Sequence, residues 1–172
     1  MVIWIDGTFG VGKSKAAAEL VELFALENPM VLNSDEEWFS FIERGYPGGG
    51  CFPQNNSDFI CRFRRCILDC LKASNLVIVD MALTDDMCKT GLLEQLLAEG
   101  ADVVHFVLDA SDQVIEERIS NDELREQKDD HIRKIARNRE FLRKNFKDAI
   151  WLDTEKCSPA DRMFQIVTNL RK

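Results

Sequence analysis

Gly7, Gly12, Lys13 and Ser14 stand in the spacing G-x-x-x-x-G-K-[ST] within the stretch DGTFGVGKSK. Each residue type has a use at that spacing. Glycines let a backbone curl round a phosphate with its N–H groups inward, so Gly7, Thr8, Phe9, Gly10, Val11 and Gly12 form the expected cradle. Lys13 can reach the β and γ phosphates as a mobile point charge, the Ser14 hydroxyl can ligate the Mg2+ that bridges them, and Lys15 completes the candidate set. The ligand this predicts is a nucleoside triphosphate with Mg2+.

Carboxylates and arginines elsewhere extend the chemistry. Asp80 closes the apolar run LVIVD, a position from which a carboxylate holds Mg2+, usually through water. Asp35 follows a second strand-like run, beside the expected place of the γ-phosphate, where it could accept or orient the proton of an acceptor hydroxyl. An acid in the first turn of a capped helix is also favoured for dipole reasons alone, so Asp35 has two readings. Arg118 is placed to pack its guanidinium plane on an adenine ring, and Arg125 to sit in a closing flap. The candidate catalytic residues are therefore Lys13, Asp35 and Arg125, and the candidate metal ligands Ser14 and Asp80. For the acceptor side the candidates are the loop GYPGGGCFPQNN and the helix carrying Arg62, Arg64 and Arg65. Arginines facing the cleft would favour an anionic acceptor, whereas a hydrophobic drug would want Trp38, Phe39 and Phe41. His105, inside an apolar strand, reads as a hydrogen-bonded core histidine, and His131 as a residue on a wet helix face.

These residues need elements to hold them. VIWI is a short buried strand, and residues 13–28 carry Ala17, Leu20, Val21 and Phe24 on one helical stripe, ended by Asn28-Pro29. MVLN is a second strand, after which Ser34 and Glu37 make a capping box for DEEWFSFIER. Ser57 opens a helix, NLVIVDM is a strand, and DDMCKTGLLEQLLAEG is a helix punctuated by Gly100. DVVHFVLD is a fourth strand, Ser111 caps DQVIEERIS, and the charged stretch from Asn121 to Phe146 is helical throughout. AIWLDT makes the last strand, and Ser158-Pro159 opens the closing helix. Five strands alternating with helices predict a parallel sheet covered on both faces, with ligands at the carboxyl ends of the strands.

Composition sets the outer bounds. A chain of 172 residues, 45% hydrophobic and 30% charged, suits one α/β domain over residues 1–172, with a lid region at about 119–140. No stretch approaches the roughly 20 apolar residues of a membrane span, and the N-terminus lacks the order of a signal peptide, so the expected location is the cytoplasm with no membrane partner. The six cysteines then read as reduced thiols. A net charge of -8 argues against binding a nucleic-acid backbone. Either a monomer or a homodimer is compatible with these features.

VIWIDGTFGVGKSKAAAEL resembles the start of the small P-loop kinases, and among them the tunicamycin-resistance-like ATP-binding proteins; DFICRFRR, LVIVDMALTD, VLDASDQVIEERI and WLDT are weaker echoes along the chain. The resemblance implies a three-layer P-loop fold with a five-stranded sheet in the order 2-3-1-4-5, a mobile helical lid, and ATP with Mg2+ as phosphate donor. It also implies an acceptor contact at Asp35 and an adenine-covering role for Arg118. Members of the tunicamycin-resistance group carry Asn where this chain has Asp6 and Pro where it has Asp80, so the metal role of Asp80 follows the broader P-loop pattern. The acidic start of the lid, SNDELREQKDD, lacks the paired arginines of nucleotide kinases. Two functions are expected on this basis. The first is an ATP-dependent phosphotransferase acting on a hydroxyl or phosphate of a small molecule. Its alternative is a non-catalytic ATP-binding protein that sequesters an antibiotic or other small molecule, which would link the chain to antibiotic resistance. A switch GTPase is excluded by the absence of the guanine-reading N-K-x-D sequence.

Overall fold

Strand β1 (Val2–Gly7) is buried along its whole length, as an apolar run with β-branched and aromatic side chains demands. In the computed structural model, which describes residues 1–46, 52–156 and 158–172, β1 lies at the centre of a parallel sheet. Its neighbours are β3 (Val77–Asp80) and β4 (Val103–Asp109), and the outer strands are β2 (Met30–Asn33) and β5 (Ile150–Asp153), giving the order β2-β3-β1-β4-β5. The expected three-layer fold and strand order are both present.

The period of two along β1 divides the core. Val2 and Trp4 face one layer, where they meet Phe59, Phe63 and Ile67 of α3 (Ser57–Ala73) and Trp38 and Phe41 of α2 (Ser34–Glu43). Ile3 and Ile5 face the other, against Ala16, Ala17 and Leu20 of α1 (Lys13–Leu23) and Met163 and Val167 of α8 (Pro159–Leu170). Trp4 is fully buried and satisfies its indole by donating from Nε1 to the Met81 carbonyl at 3.0 Å, so its burial leaves no polar group unpaired. Each such side chain contributes about 1.5–3 kcal/mol of burial free energy. Between them they fix the strand ends to which the site is attached.

Five local expectations need correction. Asn33, and not Ser34, caps α2: its Oδ1 accepts from the amides of Asp35 and Glu36, while Ser34 is already helical. A side-chain carbonyl one residue earlier reaches the same free amides, so the S-x-x-E pattern is incidental. The helix after β3 is not uniform; α4 (Asp86–Cys88) and α5 (Gln95–Ala98) are joined by a π turn over Lys89–Glu94. Ser111 stands at the N-cap of α6 (Asp112–Asn121) without a side-chain cap bond. The charged stretch beyond it breaks at residues 122–127, where Gln127 takes a φ of +53°, before α7 (Lys128–Asn145) begins. Of the expected loop at 45–56, residues 47–51 lie outside the described residues, as does Cys157, and Pro53–Asn55 form a 3-10 turn where no regular structure was expected.

Candidate functional site

Between β1 and α1 the chain makes its tightest approach to the sheet. At Gly7, φ is +139° and an added Cβ would come within 2.6 Å of the Leu108 carbonyl oxygen and 2.8 Å of Val11 Cγ2, so no other residue fits without displacing backbone. Gly12 differs: its φ of +97° requires glycine, yet nothing lies within 4 Å of an added Cβ. The loop is therefore pressed onto β4 at its start and opens into free space at its end. Helix α1 begins there with no side-chain cap and no acid in its first turn. Its first amides and the positive end of its dipole are thus available to an anion.

Lys13 spans this loop, donating from Nζ to the Thr8 carbonyl at 3.2 Å. Gly7, Thr8 and Val11 are buried beneath it, while Phe9, Gly10, Gly12, Lys13, Ser14 and Lys15 line a cleft of about 470 Å³. Asp35, Asp80, Arg118 and Arg125 line the same cleft. Ten candidate residues spread from Phe9 to Arg125 thus converge on one space at the carboxyl edge of the sheet.

Three strands end there in aspartate, and their partners separate them. Asp109 is held by Arg139 and Arg143, and Asp153 pairs with Lys156. Asp80 is 4% exposed and accepts on Oδ2 from the Ser14 hydroxyl at 2.6 Å and from Asn33 Nδ2 at 3.0 Å. Both donors are neutral, and none of the ion pairs among the described residues includes Asp80. A buried carboxylate is ordinarily offset by a cation. The donor set, a carboxylate beside a hydroxyl, is hard oxygen and suits Mg2+. No cluster of three or more His, Cys, Asp or Glu residues stands among the described residues, so such an ion would complete its shell with phosphate oxygens and water.

Asn33 was missed by the sequence reading and has two tasks. Its Oδ1 caps the helix that carries Asp35, at 2.9 Å from the Asp35 amide, while its Nδ2 orients Asp80. The only available sequence signal was an asparagine directly ahead of an acid-rich helix start. Gln54, within the acceptor-side candidate loop GYPGGGCFPQNN, also lines the cleft, as does Asp122, which carried no signal of its own. Arg118 donates from Nη1 to Thr154 Oγ1 at 2.9 Å, which fixes its guanidinium at the cleft wall. Arg125 pairs through Nε with Asp122 Oδ2 at 3.0 Å.

The histidines divide. His105 is the bonded core residue expected: its Nε2 lies 3.0 Å from Oδ2 of the fully buried Asp6, whose Oδ1 accepts from the amides of Gly7 and Leu83. This joins β4 to the root of the phosphate loop. His131 is not on a wet face. Its ring stacks on Phe9 with centroids 4.2 Å apart and an 18° interplanar angle.

The acceptor-side arginines are committed elsewhere. Arg64 donates to the Gly91 carbonyl at 2.7 Å and pairs with Glu99, and Arg62 lies over the Tyr46 ring. Among the described residues, Arg62, Arg64 and Arg65 are absent from the cleft wall. Trp38 and Phe41 belong to the core, and Phe39 faces outward.

A glycine-rich turn between the first strand and first helix, an uncapped helix start, a lysine across the turn and a strand-end aspartate on its serine together define a P-loop fold. The chain belongs to the AAA domain family, whose model matches residues 2–147. No curated protein matches it. Among solved structures it is similar to a tunicamycin resistance protein of Deinococcus radiodurans, at 24% identity and a TM-score of 0.75, over 98% of this chain and 94% of that one. A gluconokinase from Sinorhizobium meliloti 1021 gives 14% identity and 0.64, over 98% and 92%. A deoxyadenosine kinase from M. mycoides with bound dATP gives 18% and 0.58, over the whole of both chains. At these identities the likeness concerns the fold. No helix among the described residues is long and apolar enough to cross a membrane.

Proposed function

We propose that the chain is an ATP-dependent phosphotransferase that moves the γ-phosphoryl group of ATP to a hydroxyl of a small, uncharged acceptor. The observation that carries this reading is the placement of Asp35 in the same cleft as Lys13, Ser14 and Asp80. A protein that only stores a nucleotide has no use for a carboxylate across from the phosphate loop. Kinase relatives by fold, one with bound dATP, support a nucleotide in this cleft.

In this account the loop amides and Lys13 hold the β and γ phosphates, and Ser14 and Asp80 hold Mg2+. When bound, the ion neutralises the phosphate oxygens and lowers the cost of charge developing on the leaving group. Asp35 accepts the proton of the acceptor hydroxyl as its oxygen attacks. Arg118 covers the adenine, and Arg125 supplies positive charge from the lid. The acceptor half of the cleft presents Asp35 and Gln54, an acid and an amide, which suits a hydroxyl better than a second phosphate. Of the two arginines on the cleft wall, Arg125 is paired with Asp122 and Arg118 is bonded to Thr154.

The test is a screen of nucleosides, polyols, sugars and hydroxylated antibiotics for acceptor-dependent ADP release, repeated with Asp35→Asn. A phosphorylated product that falls at least about a hundredfold in the variant is the expected result. A compound bound tightly with ATP and recovered unphosphorylated from both proteins contradicts catalysis and selects sequestration.

A further inference from the structure

We propose that His131 is a proton-linked latch: uncharged in the free protein, it holds helix α7 onto the phosphate loop by stacking on Phe9, and it takes up a proton when a triphosphate enters beside it. This rests on the nucleotide reading of the cleft and adds to it a coupling between ATP and a proton.

The geometry is specific. Phe9 lies in the phosphate loop and lines the cleft, and the His131 ring covers it at 4.2 Å, nearly parallel. Nδ1 of His131 is 3.5 Å from Nη1 of Arg125, on the connection between α6 and α7. The charged groups that face the imidazole are Arg125 of the connection, Asp130 and Lys134 of its own helix, and Asp35 of α2. Burial holds its pKa below the ordinary value of 6.5; Arg125 and Lys134 act in the same direction, and Asp130 and Asp35 oppose them. A neutral ring is the form that stacks on a phenyl face at least desolvation cost and that tolerates a guanidinium at this distance. Arrival of a triphosphate reverses the local balance. Its negative charge draws on Arg125, and a second positive charge beside it becomes favourable. By linkage, whatever raises the pKa of His131 on binding must tighten binding as the pH falls.

The sequence makes the measurement clean, because His105 and His131 are the only histidines. Their ring signals can be followed by NMR across pH in the whole protein, free and saturated with MgATP, with His131→Phe giving the assignment. The expected midpoint of His131 lies below 6.5 in the free protein and rises by about one pH unit with MgATP, making binding up to roughly tenfold tighter at acid than at alkaline pH. His131→Phe keeps the stack and loses the proton, so it should retain binding and lose that part of the pH dependence. His131→Ala loses both, and should also raise protease cleavage at residues 122–127. Tight MgATP binding with an unmoved His131 midpoint, or with the same pH dependence in His131→Phe, overturns the latch and leaves the nucleotide reading standing. Failure of MgATP to bind at all overturns the nucleotide reading, and the coupling falls with it.

Discussion

One amide at Asn33 links the two carboxylates on which the proposed chemistry depends. Its Oδ1 serves the helix bearing Asp35 and its Nδ2 serves Asp80, so the tasks can be separated by substitution. Serine at this position caps a helix nearly as well as asparagine but is too short to reach Asp80, whereas alanine does neither. Asn33→Ser and Asn33→Ala should therefore share a several-fold higher Mg2+ requirement for ATP binding. They should differ by about 1 kcal/mol in stability, the worth of the cap. Calorimetry of ATP against Mg2+ concentration and a denaturant series check the two halves. Equal stabilities, or an unchanged Mg2+ requirement, would show that the amide has one task or none. Lys13, Ser14 and Asp80 were legible because their spacing and strand-end position recur wherever phosphates are held. Asn33 and His131 were not, because their value comes from neighbours 47 residues away in one case and a loop phenylalanine in the other.

Helix α7 is tied to the end of β4 and the start of α6. Near its middle, Arg139 donates to Asp109 Oδ1 at 2.9 Å, and also to Asp112 and the Ala110 carbonyl, while Arg143 reaches Asp109 Oδ2 at 3.1 Å. Its first turns reach the cleft wall through His131 on Phe9, and Lys134 lies over the Phe52 ring at 4.7 Å. Arg139→Ala removes the ties made by its guanidinium and leaves part-buried Asp109 ion-paired with Arg143 alone. The expected cost is about 2 kcal/mol, read as a drop in the thermal midpoint, with proteolysis at 122–127 accelerated. An unchanged midpoint would mean that α7 is anchored by Leu142 and Phe146 in the core instead. The break that precedes α7 escaped the sequence reading. NDELREQKDD contains neither glycine nor proline, and the left-handed turn falls on Gln127, a residue with no turn preference. The strands, with their dense Val and Ile, were legible almost to the residue: MVLN, for example, is β2 from end to end.

Across the molecule, the parallel sheet was read from strands alternating with helices, and the strand order from resemblance alone. Each inner strand is apolar on both faces, so period and composition mark a strand without choosing its neighbour; pairing depends on crossovers that no local pattern records. The same burial leaves a signature in alkali. Cys88 sits in the core and burial pushes its thiol from 9.0 up to about 12. The unfolded chain ionises this thiol from its ordinary value upward while the folded chain keeps it neutral, so stability falls as pH rises from 9.0 to about 12 and is unaffected below that window. Cys88→Ala should flatten this part of the alkaline slope in a pH series of denaturant melts, and an identical slope would contradict the assignment. The most direct test of the central claim is the affinity of the purified protein and of Lys13→Ala for ATP, with and without Mg2+. Mg2+-dependent binding that weakens by at least about tenfold in the variant is expected. Binding that ignores Mg2+ and survives the loss of the Lys13 ammonium would contradict it.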